Sequence, residues 1–270
     1  MKNLVVVLLL LIIVVSCEKD EPAGIAPELP PVETMVIDFT KFGGAEKSAS
    51  LLRSNWLYAA KTVGVWNAII GTTFAVPVAA FKLAINHQPE NTGNLTWQWQ
   101  YTVEGFTSQY TARLVGKLEP TQVKWEMHVS KEGIDSFEEF LWFEGTSNID
   151  GKSGQWILYH SSAFPEETVQ IDWKKEDVEV GEIKYSYIRE LNNLRQPDDF
   201  NGSTLTYGLQ DELFDIYVNV HTFNSQSQAF SDTYIEWNRT SFAGHIKAEQ
   251  YFNDTSWHCW DSQGYDIECN

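Results

Sequence analysis

Few residues in this sequence are spaced for chemistry. The six histidines, His87, His128, His160, His221, His245 and His258, are dispersed, and none has a second ligand at the helical or hairpin spacing that a metal site needs. The adjacent carboxylates Glu138-Glu139, Glu166-Glu167 and Asp198-Asp199 do not form acid–base dyads. Neighbours along a strand point to opposite faces, and in a turn both face water. No nucleophile elbow, zinc-protease helix, phosphate loop or dinucleotide fingerprint occurs. The sequence therefore names no catalytic residue, metal or cofactor, and a hydrolase would need a carboxylate pair from distant strands, about 5 to 9.5 Å apart. Aromatic side chains are the compositional excess: eleven Trp, eleven Tyr and fifteen Phe. Most suit a core. Tyr217 and Trp237, with Tyr159 or Trp156, fall instead on a face read as solvent-exposed, beside Asp, Asn and Gln. Flat rings cover the apolar face of a sugar while amides and carboxylates bond its hydroxyls, so Tyr217 and Trp237 are candidate glycan contacts.

The amino terminus carries a different kind of signal. Met1-Lys2-Asn3 precedes an unbroken apolar run of twelve residues, Leu4 to Val15, and then Ser16-Cys17. That is the order of a signal peptide over residues 1–16. As a helix the run extends about 18 Å, short of the roughly 30 Å hydrocarbon core. Val14-Val15-Ser16-Cys17 resembles the lipobox of bacterial lipoproteins. The resemblance implies that the Cys17 thiol receives a diacylglycerol and that the signal is then removed. Acyl chains contribute about 0.8 kcal/mol per buried methylene, so a multiply acylated Cys17 is a stable membrane anchor. The acidic Glu18-Lys19-Asp20-Glu21 resembles an export tag for the outer membrane. The implied location is the outer membrane, on its periplasmic or cell-surface side. Residues 17–34, with Pro22, Pro27, Pro30 and Pro31 and no apolar period, read as a flexible linker.

Acylation of Cys17 leaves Cys259 and Cys269 as an even pair in an oxidising compartment, where a disulfide is expected. A hairpin turning near Gly264 would set them opposite each other. A zinc site of His258, Cys259 and Asp261 does not match known ligand spacings. The chain holds 37 acidic against 19 basic residues, a formal charge of -18. Nucleic acid is excluded as a partner, because phosphate binding needs clustered Lys and Arg.

Behind these residues stand two kinds of element. From Glu46 to Asn86, Leu52, Trp56, Ala59, Val63, Trp66 and Ile70 recur at helical steps. Gly71-Thr72-Thr73 and Pro77 interrupt the stripe, which predicts two helices or one kinked helix. The charge-free stretch from Val63 to Phe81 reads as a helix buried under a sheet rather than a membrane span. From Leu95 onward the period becomes two, as in an antiparallel meander. Trp97, Trp99 and Tyr101; Val123, Trp125, Met127 and Val129; Val169, Ile171 and Trp173; Ile183, Tyr185 and Tyr187; and Phe214, Ile216, Val218 and Val220 fall on one face. The expected fold is mainly β: about twelve strands in one domain, residues 35–270, curled over the N-terminal helical segment. That outline resembles the half-barrels of envelope lipoprotein carriers and, more loosely, lipocalins. The resemblance implies a non-enzymatic envelope protein that binds a hydrophobic small molecule or serves a structural role, with a surface glycan-binding module as the alternative.

Overall fold

The computed structural model describes residues 24–37, 42, 53–73, 75–104, 108–177 and 179–269. Cys17, the signal segment and Leu52 lie outside them. Two helices, α1 (Ser54–Thr73) and α2 (Ala75–Ala84), precede fourteen strands, and a one-turn helix, α3 (Glu249–Phe252), interrupts them near the end. The strands are β1 (Glu90–Gly93), β2 (Thr96–Glu104), β3 (Gln109–Leu118), β4 (Gln122–Lys131), β5 (Phe137–Asn148), β6 (Ser153–Ser161) and β7 (Phe164–Glu176). They continue as β8 (Glu179–Tyr187), β9 (Thr204–Leu209), β10 (Ile216–Asn224), β11 (Ala229–Trp237), β12 (Gly244–Lys247), β13 (His258–Trp260) and β14 (Asp266–Ile267). Each pairs antiparallel with the next, giving one open meander in chain order. The count exceeds about twelve chiefly through the short end strands β1 and β14.

The apolar alternation has the expected consequence. Trp97, Trp99, Tyr101, Leu114, Trp125, Met127, Phe143, Trp156, Leu158, Ile171, Trp173, Ile183 and Tyr185 are all buried on one face. That face cannot meet water at this size, and the N-terminal segment covers it. A 3₁₀ turn at Val32–Thr34 packs on β7 and β8, α2 packs on β2 and β3, and α1 packs on β12, β13 and β14. The sheet curls because one helical layer must reach strands at both of its ends. Within α1, Trp56, Ala59, Val63 and Ile70 form the buried stripe. The two helices expected are present, but α1 runs through Gly71–Thr73 rather than ending there, and Pro77 is the third residue of α2, where an N–H has no intrahelical acceptor. No helix among the described residues is long and apolar enough to cross a membrane.

Polar groups that enter this interior are bonded. The Tyr101 hydroxyl donates to the Ala80 carbonyl at 2.5 Å, and the Tyr185 hydroxyl to that of Met35 at 3.0 Å. Burial raises the pKa of both phenols. Trp156 Nε1 donates to Thr34 Oγ1 at 3.1 Å. The spacer expected to run to Thr34 therefore ends earlier: Pro30 and Thr34 are buried, and the chain is part of the domain from the proline segment onward.

Wide rings on a curled face need small neighbours. Gly116 lies opposite Trp125, Gly145 opposite Trp156, Gly154 opposite Trp173 and Gly244 opposite Trp260. Each tryptophan lies over the glycine across the strand pair, so that a Cβ added at Gly116 would meet Trp125 Cζ3 at 2.7 Å. The arrangement repeats along the meander and lets indoles lie flat against the sheet.

The C-terminal hairpin fastens α1. The Asp266 carboxylate accepts from the Ser54 N–H at 3.0 Å, the Ser54 hydroxyl at 2.6 Å and the Asn55 N–H at 3.0 Å. An acid at a helix N-terminus bonds orphan N–H groups and opposes the helix dipole. Asn55 Nδ2 adds a bond to the Cys259 carbonyl at 2.9 Å. The disulfide Cys259–Cys269 closes this hairpin, with Cα atoms 5.3 Å apart. Cys259 faces Ile267 in register, so Cys269 lies just beyond β14 rather than directly opposite as expected. Asp266→Ala is expected to lower stability by about 1 to 2 kcal/mol, read by urea denaturation, with Asp266→Asn losing less because one acceptor oxygen remains.

Candidate functional site

The convex face is where the side chains left outside the core gather. On β11 the inward residues are Thr233, Ile235 and Trp237, and the outward ones are Phe230, Asp232, Tyr234 and Glu236. Phe230 is 41% exposed and Tyr234 39%, while Trp237 is only 1% exposed. The strand period fixes this parity: Trp237 must share a face with Ile235. Trp237 meets Phe42 edge-on at 4.8 Å and is a core residue, which corrects its reading as a solvent-facing glycan contact. Trp156 is likewise fully buried. Tyr217 does lie on the convex face, but its ring covers Gly208 and its hydroxyl donates to Glu182 Oε2 at 2.9 Å. Burial and that carboxylate push its pKa up to about 12. Tyr159 similarly donates to Glu144 Oε1 at 2.6 Å. Phe214, expected on the apolar face, precedes β10 and packs against His245, 4.5 Å between centroids, on the convex side.

A hollow of about 700 Å³ opens beside the two exposed rings of β11. It is lined by Phe230, Ser231, Asp232 and Tyr234 from β11, Lys247 from the end of β12, and Glu249, Gln250, Asn253 and Thr255 from α3 and the turn after it. Asn253 ends α3 in the left-handed region at φ 59°, a conformation asparagine tolerates well, and so reverses the chain at the hollow's rim. Among the described residues the side chains of Ser231, Tyr234, Lys247, Glu249, Asn253 and Thr255 make no hydrogen bond or ion pair with the protein, which leaves six polar groups for a ligand.

The walls of the hollow are held in place. His221 stacks on Phe230 with centroids 4.7 Å apart and planes 3° from parallel, and its Nδ1 lies 2.7 Å from Asp232 Oδ1. Phe223 meets the edge of Phe230 at 5.6 Å. Gln250 donates to Thr233 Oγ1 at 3.2 Å, and Tyr251 stacks on Tyr58 of α1 at 3.7 Å. Two further stacks fix the connection that carries α3: Phe252 on His258 and Trp257 on His245, each at 3.7 Å. His245 Nε2 also lies 2.7 Å from Glu236 Oε2.

Burial lowers the His245 pKa below its ordinary 6.5 despite the Glu236 carboxylate. The unfolded chain then takes up this proton first as pH falls, so the stability that neutral His245 supplies is full above about 6.5 and declines beneath it. Melting temperature is expected to fall as pH drops below about 6.5, and His245→Gln to flatten part of that slope. His160, lowered by burial and by Arg189, accounts for another part.

Elsewhere on the convex face several charged groups are mutually engaged. Glu139 pairs with Arg113, whose hydrogen bonds hold that carboxyl below its usual range against the opposing effect of burial. Glu166 takes both Arg189 and Arg195, and Asp198 accepts from Tyr187 at 2.9 Å. The Glu166 pairs tie the long connection between β8 and β9 to the start of β7, and the Tyr187 bond ties it to β8. Among the described residues no three His, Cys, Asp or Glu side chains converge as a metal site would require. A second, smaller hollow of about 250 Å³ lies at one rim, between Pro27–Pro31 and the turns that include Asn148, Ile149, Asp150 and Gly151.

Comparison with protein-family models, with curated proteins and with solved structures found no match for this chain. The signal in the sequence that could have found the hollow is the alternation Phe230-Asp232-Tyr234-Glu236, whose aromatic and acidic residues share one parity.

Proposed function

We propose that this protein is a lipid-anchored binding protein of the bacterial envelope whose hollow between β11 and α3 takes a neutral glycan. The observation that carries the reading is the hollow itself: two partly exposed rings, Phe230 and Tyr234, beside unengaged hydroxyl, ammonium, carboxylate and amide groups. Rings cover the C–H face of a pyranose, and the polar groups offer both donors and acceptors to its hydroxyls. A hollow of about 700 Å³ lies within the range of small-ligand sites, about 300 to 1,000 Å³. The formal charge of -18 disfavours polyanionic sugars. The hydrophobic-ligand reading has less in its favour, because Met35, Phe42, Phe81 and the indoles of the meander fill the concave face with the chain's own side chains. The anchor rests on the lipobox-like Val14-Val15-Ser16-Cys17. A glycan array probed with the mature protein identifies the sugar. Phe230→Ala with Tyr234→Ala is expected to weaken binding about 5- to 150-fold, since each aromatic contact contributes about 0.5 to 1.5 kcal/mol. An unchanged affinity in the double variant would move the site elsewhere.

A further inference from the structure

In a sequential meander the turns alternate between two rims. The turns β1–β2, β5–β6 and β9–β10 share one rim, and each presents a large aliphatic side chain: Leu95 is 52% exposed, Ile149 53% and Leu213 79%. The N-terminal segment leaves along the same rim. Pro27–Pro31 runs beside Leu118, Val123 and Ile149, and Gly24 lies against the Trp97 ring at the start of β2. Ile25, next along the segment, is 93% exposed. Leu95 adds a second observation. It follows Asn94 in a two-residue turn where both residues have positive φ, 51° and 57°, a seat that glycine fills without strain. An outward leucine is kept there instead.

We infer that this rim rests on the bilayer, with Leu95, Ile149 and Leu213 set among the lipid headgroups. The inference rests on the acylation of Cys17. Cys17 is seven residues from Gly24, a reach of at most about 25 Å, so the anchored lipid holds this rim and not the other near the membrane. The opposite rim also exposes aliphatic side chains, Ile134 at 84% and Leu194 at 78%, but no tether leaves from it. Asp150, Asp211 and Glu212 flank the aliphatic tips, with Lys152, Lys175 and Arg239 on the same rim, so charges of both signs face the bilayer and suit zwitterionic headgroups. The hollow beside Phe230 and α3 lies toward the far rim, open to the medium.

The test uses the mature lipidated protein in phosphatidylcholine vesicles. With Cys17 acylated and Cys259 bonded to Cys269, one introduced cysteine is the sole free thiol for a fluorophore. Labels at Ile149→Cys and Leu213→Cys are expected to be quenched by a headgroup-level nitroxide lipid at least three-fold more than a label at Ile134→Cys. Vesicle-bound protein with equal quenching at the three positions, or with stronger quenching at Ile134→Cys, overturns the inference and leaves the anchor standing. Protein that stays in solution with an unmodified Cys17 removes the anchor and the inference together.

Discussion

Gly145→Ala is expected to destabilise the domain by about 3 kcal/mol, the upper range for overpacking, and truncating its tryptophan neighbour is expected not to restore it. A Cβ at this position would fall inside the contact distance of both the Trp156 ring and the Gln155 carbonyl oxygen. The ring can be made smaller, but the carbonyl belongs to the β5–β6 ladder and cannot withdraw without opening it. Gly116 provides the contrast. There the nearest atoms to an added Cβ all belong to Trp125, the closest at 2.7 Å. Gly116→Ala is expected to lose about 1 to 3 kcal/mol, with part of the loss removed in a Trp125→Leu background. A double-mutant cycle by urea denaturation measures both. Strong coupling at the first site would mean that the Gln155 carbonyl is not the obstacle, and none at the second would mean that the Trp125 indole does not lie over Gly116.

Phe81→Ala is expected to cost about 3 to 5 kcal/mol, as for other fully buried aromatic residues. Phe81 is 0% exposed and meets the rings of Phe143 on β5 and Trp156 on β6 edge-on, at 5.9 and 5.6 Å. It joins α2 to the middle of the meander, while Tyr101 ties the same helix to β2. Removing its ring leaves a cavity between the helical layer and the sheet where neither backbone can close freely. Val65 on α1 is the control: 50% exposed, it is expected to tolerate alanine within about 0.5 kcal/mol. If Phe81→Ala were as mild as Val65→Ala, the helices would not form the second layer of the core.

Much of this architecture was legible because a sheet with one buried face imposes a period of two. Trp97, Trp99 and Tyr101, or Ile216, Val218 and Val220, announce their strands and their inward face. The division into two helices was legible from the interrupted rhythm, although its place was not, since Gly71 lies within α1 and Pro77 within α2. The disulfide followed from counting cysteines, although its exact register did not. Strand β11 misled because both of its faces carry aromatic rings, so ring against polar gave no contrast and Trp237 was set on the wrong side. Its parity with Ile235 was the better guide. Tertiary arrangements stayed hidden. Asp266 caps a helix that begins 212 residues earlier, and the hollow needs Gln250, Asn253 and Thr255 brought against β11 by a single turn of helix. The glycines opposite the indoles were visible in the sequence, but their pairing appears only once strand register is known.

The central claim is that ligand is held in the hollow beside Phe230 and Tyr234 rather than inside the curled sheet. Calorimetric titration of the domain from Gly24 onward, with a neutral oligosaccharide from the array and in parallel with a fluorescent fatty acid, tests it most directly. The account predicts saturable sugar binding that Phe230→Ala with Tyr234→Ala weakens about 5- to 150-fold, and no saturable uptake of the fatty acid. Saturable fatty-acid binding unaffected by that double variant, with no sugar bound, would contradict it.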